Sequence, residues 1–201
     1  MVTYATLWRL LARGSGAGRA RGALRAWDWW ERGSEWLWPI RPIPGACSGL
    51  LRIRLARYRG PAVRLDDGTT IRRGDTIGHL HLNNAVAAAS TPDTPWRLQH
   101  MAVEDLRALA AWLAQQQGRR RPVALYGKTF LGHAARRVGF SSSPCPPTPS
   151  SLLFRFYLHG LMVMHSREGW RRMQRGRVRC APCSEIWMST PELLRRYGSA
   201  S

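Results

Sequence analysis

The chain has 201 residues, 44% of them hydrophobic. That is enough for one compact domain with a core, and too apolar for a disordered polymer. Lysine and arginine number 31 against 12 acidic residues, a formal net charge of +19, which excludes an acid-rich surface and directs attention to anionic partners. No run of about 18 unbroken apolar residues occurs, which argues against a membrane-spanning helix.

The charge needs discounting. Lys128 is the one lysine; every other basic residue is arginine, and the arginines are spread along the chain. Lysine binds phosphate well, so selection for nucleic-acid binding does not exclude it. A coding bias toward arginine explains the pattern more simply. Polyanions still adhere to such a surface at low salt. The four cysteines, Cys47, Cys145, Cys180 and Cys183, are sparse. Met1 to Leu11 lacks the pattern of a secretory signal. The expectation is a cytoplasmic protein with reduced thiols, with peripheral contact to a membrane left open.

In chain order, Met1 to Arg13 suits a short helix. Gly14 to Gly22 reads GSGAGRARG, too glycine-rich for a packed element, and so a linker. The expected organisation is therefore a short helix with a flexible linker over 1–22 and a single domain over 23–201. From Ala23 to Trp38 the chain carries five tryptophans, Trp27, Trp29, Trp30, Trp36 and Trp38. Helix is expected there, ended by Pro39. These rings suit either packing on a sheet or a stacking platform for sugars or bases.

The clearest β region follows. Leu51, Ile53 and Leu55 alternate with Arg52, Arg54 and Ala56, a strand with one wet face. Pro61 to Leu65, a turn at Asp66-Asp67-Gly68, and Thr69 to Ile71 form a hairpin. A three-residue turn sets Val63 against Ile71 and keeps the apolar residues on one face, so it is preferred over a two-residue turn. After Gly74-Asp75, Thr76 to Leu82 is a strand with Leu80 and Leu82 on one face and His79 and His81 on the other.

Thr94-Pro95 opens a long helix to Gln117, stopped by Gly118, with Val103, Leu106, Ala110 and Leu113 as its core stripe. Val123 to Tyr126 suits a short strand, and Thr129 to Val138 a helix stopped at Gly139. Ser141 to Ser151 holds four prolines in eleven residues, a loop by composition. Leu152 to His165 suits a helix. Ile186 to Met188 suits a short strand, and Ser189 with Glu192 forms a capping box for a last helix closed at Gly198. Strands over roughly 50–82, one more near 185–188 and several helices predict an α+β domain, with a small antiparallel or mixed sheet packed by helices.

Residues Leu51 to Asn83 read LRIRLARYRGPAVRLDDGTTIRRGDTIGHLHLN. The Arg-rich strand, Tyr58-Arg59-Gly60, Leu-x-Asp-Gly-Thr, Gly-Asp and Leu-His-Leu resemble the YkoP-like domain of bacteria. Glu185 to Ser189 and Arg195 to Gly198 are similar to that family's C-terminal signature. The family is mostly uncharacterised, and some relatives carry a polysaccharide deacetylase domain on the same chain. The resemblance therefore implies a link to envelope or spore polysaccharide metabolism, by association only. It does not imply deacetylation here: no two histidines lie four apart, and Asp66-Asp67 sits in a turn.

His79 and His81 project from one strand face about 7 Å apart. They can share a divalent metal, with Asp75, His100, His133, His159 or His165 as a third ligand, or they can be hydrogen-bonded structural histidines. A metal-free version has Asp75 orient a histidine as general base, with Asn83 or Asn84 donating to an oxyanion. The bland alternative is that Asp75 caps a turn. Glu185, His165 and Tyr126 come near this site if the last strand joins the first sheet. The candidate catalytic residues are thus Asp75, His79, His81, Asn83 and Glu185. Arg52, Arg54, Tyr58, Asn84 and Trp187 are the candidates for ligand binding, and His79 and His81 for metal.

Cys180-Ala-Pro-Cys183 is a lone CxxC with no second ligand pair. Lys128-Thr129, read as a helix start, can hold an anion. Together the residues suggest a protein that binds or modifies an anionic polymer or polysaccharide; whether it is an enzyme stays open. The rival reading is a basic nucleic-acid-binding module.

Overall fold

A computed structural model describes residues 40–83, 86–87, 95–116, 118, 121–146 and 183–198. Pro146 aside, these belong to one compact unit, Ile40–Cys145 with Pro182–Ser201. The expected Trp-rich segment, the glycine linker, the Leu152–His165 helix, Asn84 and Cys180 lie outside the described residues.

The architecture is α+β, as the sequence predicts. The strands are β1 (Arg41–Pro42), β2 (Leu51–Arg57), β3 (Val63–Arg64), β4 (Thr70–Ile71), β5 (Thr76–Leu82), β6 (Ala124–Thr129), β7 (Ser141–Pro144) and β8 (Ser184–Ser189). The helices are α1 (Pro95–Ala114), α2 (Gly132–Arg137) and α3 (Thr190–Tyr197). A six-stranded sheet runs β1-β2-β5-β6-β8-β7, and β3-β4 form a separate hairpin. β5 and β6 pair in parallel while the other described pairings are antiparallel. The parallel pair needs a crossover, and α1 lies within it.

Alternation in β2 and β5 divides the sheet into two unlike faces. Leu51, Ile53 and Leu55 stand opposite Leu82, Leu80 and Gly78. Across the neighbouring strands the same face carries Leu125, Gly127, Ile186 and Met188. Here α1 lays down its stripe: Leu106, Leu109, Ala110 and Leu113 are fully buried, and Val103 packs against them. Leu193 of α3 and Ala135 of α2 join the same core. One polar group is buried with them. Asp105 of α1 is fully buried, and its Oδ2 accepts the Leu51 N–H at 2.7 Å. A carboxylate on a helix thus fastens the start of β2.

The hairpin adopts the three-residue turn expected from its apolar pattern. Val63 opposes Ile71, Leu65 N–H donates to Thr69 O at 2.9 Å, and Gly68 takes φ +85°, which favours glycine. Ile71 meets Ile77, Ala124 and Trp187 in a second small core on the other sheet face. Ser189 Oγ donates to Asp67 and accepts the Glu192 N–H at 3.0 Å. One serine therefore both anchors the hairpin and caps α3. The Glu192 carboxylate does not complete a capping box; it accepts from Arg195 and Arg196.

Three expectations are corrected. Lys128 and Thr129 belong to β6, and the helix begins only at Gly132. Ala124, Tyr126 and Lys128 continue a strand alternation that outweighs helix propensity at that point. Ser141 to Pro144 is an edge strand, β7, where its proline-rich composition suggests loop; proline is tolerated at an edge. The thiols are not all reduced: Cys145 and Cys183 form a disulfide with Cα atoms 5.5 Å apart. Pro144 pairs with Ser184, so the next residues on each strand, 145 and 183, fall opposite each other. Cys183 is thereby assigned to Cys145, and the remaining described cysteine, Cys47, is free and exposed.

Candidate functional site

The second face of the sheet is where polar chemistry gathers. β2 contributes Arg52 and Arg54, directly opposite His81 and His79 of β5. In the parallel pair His79 stands beside Tyr126. In the next pair Tyr126 opposes Trp187, and Lys128 opposes Glu185. The alternation that hides leucines from water on one face therefore aligns two histidines, two arginines, a tyrosine, a lysine and a glutamate on the other.

These side chains engage each other across strands. The Tyr126 hydroxyl donates to Glu185 Oε1 at 2.9 Å. Lys128 Nζ lies 3.3 Å from the same oxygen, with both side chains largely out of solvent. The His79 and Tyr126 rings meet edge-on at 5.1 Å, and Tyr126 leans on Trp187 at 4.3 Å. Tyr58 closes the aromatic row, edge-on to Trp187 at 5.8 Å. Trp187 is 7% exposed, so it serves as packing beneath the site.

The electrostatics are unusual for histidine. Burial, then the positive charges of Arg54, His81 and Lys128, bring the His79 imidazole down to about 4. Burial and Arg54 do the same to His81. Both rings are neutral at physiological pH, each a donor on one nitrogen and an acceptor on the other. Burial, followed by the Glu185 charge and hydrogen bond, raises Tyr126 and keeps its proton in place. Two polar atoms of this face are buried without a hydrogen-bond partner: His81 Nε2 and Arg54 Nε.

The sequence-derived candidates therefore divide. His79, His81, Glu185, Arg52, Arg54 and Trp187 share one face. Tyr58 lies at its hairpin end, where its hydroxyl donates to Pro61 O at 2.8 Å. Asp75 accepts the Arg72 N–H within the turn that precedes β5. Asn83 donates to Gly49 O and accepts the Val86 N–H, so its amide organises backbone at the far end of β5. His100 sits on exposed α1 surface, its Nε2 3.4 Å from Glu104, and His133 sits on α2. Among the described residues, no group of three or more His, Cys, Asp or Glu side chains is placed to hold a metal ion. Lys128 joins the site beyond the candidate residues, and Tyr126, expected nearby if the last strand joins the first sheet, is part of it. The signal for them is period-2 spacing from Ala124 through Tyr126 to Lys128.

A mixed sheet with helices on one face and a polar row on the other defines an α+β domain with its candidate chemistry on strands. The family follows from the sequence as a whole: the YkoP domain model matches residues 20–197, and the chain belongs to that family. Neither a curated protein nor a solved structure matches it. Among the described residues no helix is long and apolar enough to cross a membrane.

Proposed function

We propose that this YkoP domain binds an anionic saccharide, of the kind found in bacterial envelope or spore polysaccharide, on the polar face of its sheet. The observation that carries this reading is the pair of buried, unpartnered atoms His81 Nε2 and Arg54 Nε. Buried polar atoms left without partners in a folded protein call for an explanation, and a ligand that completes them is one. The surroundings suit such a ligand. Arg52, Arg54 and Lys128 outnumber Glu185 in charge, which favours a carboxylate or phosphate. The two neutral imidazoles suit hydroxyl groups, which need both donors and acceptors. The same excess of positive charge disfavours a divalent cation at His79 and His81.

Binding is preferred to catalysis at this face. A histidine base needs an orienting partner, and the Asp75 carboxylate is engaged by the Arg72 N–H. Asn83 is likewise engaged by backbone.

The test is calorimetric titration of the full chain with uronate-containing and neutral oligosaccharides at physiological salt, alongside Arg54→Gln and His81→Gln. The acidic glycan is expected to bind selectively, and both folded variants to lose about tenfold or more in affinity. Unchanged affinity in both would end the reading. Two other outcomes would replace it: duplex DNA binding that persists at that salt, or stoichiometric metal that disappears in His79→Ala.

A further inference from the structure

A cavity of about 630 Å³ lies between the apolar sheet face and helices α1 and α2. Its volume falls within the roughly 300–1,000 Å³ of small-molecule sites. Leu51, Leu80 and Ile186 line it from the sheet, Leu106 from α1, and Leu131 and Phe140 from the chain around α2. Gly127 belongs to the same lining; a Cβ there would meet Ile186 at 3.2 Å, so its bare backbone keeps that wall low. Trp96 and Leu131, two of the few large apolar side chains left exposed, at 64% and 36%, both border it. Wet apolar groups beside an apolar cavity mark a mouth that gains by being covered.

The charged side chains that line this cavity, Lys128 and Arg137, have one sign, and Lys128 is already paired with Glu185. His81, Gln99, Thr129 and His133 are its other polar groups, and His133 and Arg137 lie on the exposed surface of α2. Among the described lining residues there is no aspartate or glutamate. Apolar walls call for hydrocarbon, and a basic border without acid calls for a negative end.

We propose that this cavity binds a single-chain amphiphile, its acyl chain between the sheet and α1 and its anionic headgroup against Arg137 at the exposed surface of α2. His81 and Lys128 line both this cavity and the polar face, but the apolar walls and Arg137 belong to the cavity alone, so the proposal does not rest on the saccharide reading. The headgroup chemistry required is a carboxylate or a phosphate monoester, since either pairs with a guanidinium through two oxygens.

The experiment is isothermal titration of the delipidated full chain with dodecanoate, dodecyl phosphate and dodecanol below their aggregation limits. The two anions are expected to bind one to one, and dodecanol at least about tenfold more weakly. Ala134→Trp places a large side chain on exposed α2 surface that lines the cavity, and it is expected to abolish chain binding in a folded protein. Arg137→Glu, also exposed, is expected to weaken the anions severalfold and leave dodecanol unchanged. The tighter of the two anions identifies the headgroup. Absence of saturable binding overturns the proposal, as does dodecanol binding as tightly as the anions, or full affinity in a folded Ala134→Trp. Arg54→Gln serves as the control. It leaves amphiphile binding intact, while Ala134→Trp leaves saccharide binding intact, so each site can fail alone.

Discussion

The two faces of the six-stranded sheet are made by the same strands, yet they are closed in opposite ways. On one face Ile53, Leu125 and Met188 are 4%, 0% and 2% exposed, and helices complete them with more hydrocarbon. On the other, two histidines and an arginine are partly buried, and two of their nitrogens are out of water without a partner. The first arrangement stabilises the fold through apolar burial. The second opposes it, because each desolvated polar atom left unpaired costs about 1–3 kcal/mol. The apolar face holds one such atom too, Asp105 Oδ1, but there the other carboxylate oxygen accepts the Leu51 N–H; for His81 and Arg54 the cost is better explained by what they bind.

The largest effect should fall on the apolar face. Leu125→Ala removes a fully buried side chain beneath the helices and is expected to cost about 2–5 kcal/mol in urea unfolding. Asp105→Ala should follow, at about 1–3 kcal/mol, because it leaves the Leu51 N–H buried without its acceptor.

The polar face should instead report through pH. The ordinary histidine value is 6.5, and in the fold both rings titrate near 4. Between these values the unfolded chain binds more protons, so stability is complete above about pH 6.5 and falls as the pH drops toward 4. Discounted for the solvent these rings still meet, the loss is on the order of 1–2 kcal/mol across that window. A double His79→Gln, His81→Gln variant should show a flatter profile; an unchanged slope would place the titration elsewhere.

Tyr126→Phe removes the hydrogen bond to Glu185 and should cost about 1 kcal/mol. The smallest change, and the sharpest in sign, is expected for Arg54→Met. It replaces a buried unpaired Nε with hydrocarbon and should leave thermal stability level or slightly raised, while ligand binding is lost. A strong destabilisation by Arg54→Met would erase the contrast between the faces.

Much of this was legible along the chain because the strands alternate cleanly. Leu51 to Leu55 and Leu80 to Leu82 announce an apolar face, and the same period places His79 and His81 together. The turn at Gly68 could be read because a single register keeps Val63, Leu65 and Ile71 on one side. The pairing of distant strands could not. Nothing local says that β6 lies parallel to β5, so Lys128 reaches the site only through tertiary contact, and Tyr126 is expected there only on condition that the last strand joins the first sheet. Cys145 looked isolated for the same reason, since its partner is fixed by the β7–β8 register. Asp105 carried no signal at all; an acidic residue in a helix reads as a surface group until the backbone N–H that it serves is known. Asp75 and Asn83 were chemically attractive in sequence, but backbone groups nearby engage both side chains.

The disulfide has a consequence for how this domain can be edited. Cys145 and Cys183 are 38 positions apart in sequence, yet their Cα atoms are 5.5 Å apart. A gap that small can be bridged by a tight hairpin turn of a few residues. Any edit at this edge therefore has to keep residues 145 and 183 opposite each other, as the β7–β8 register does.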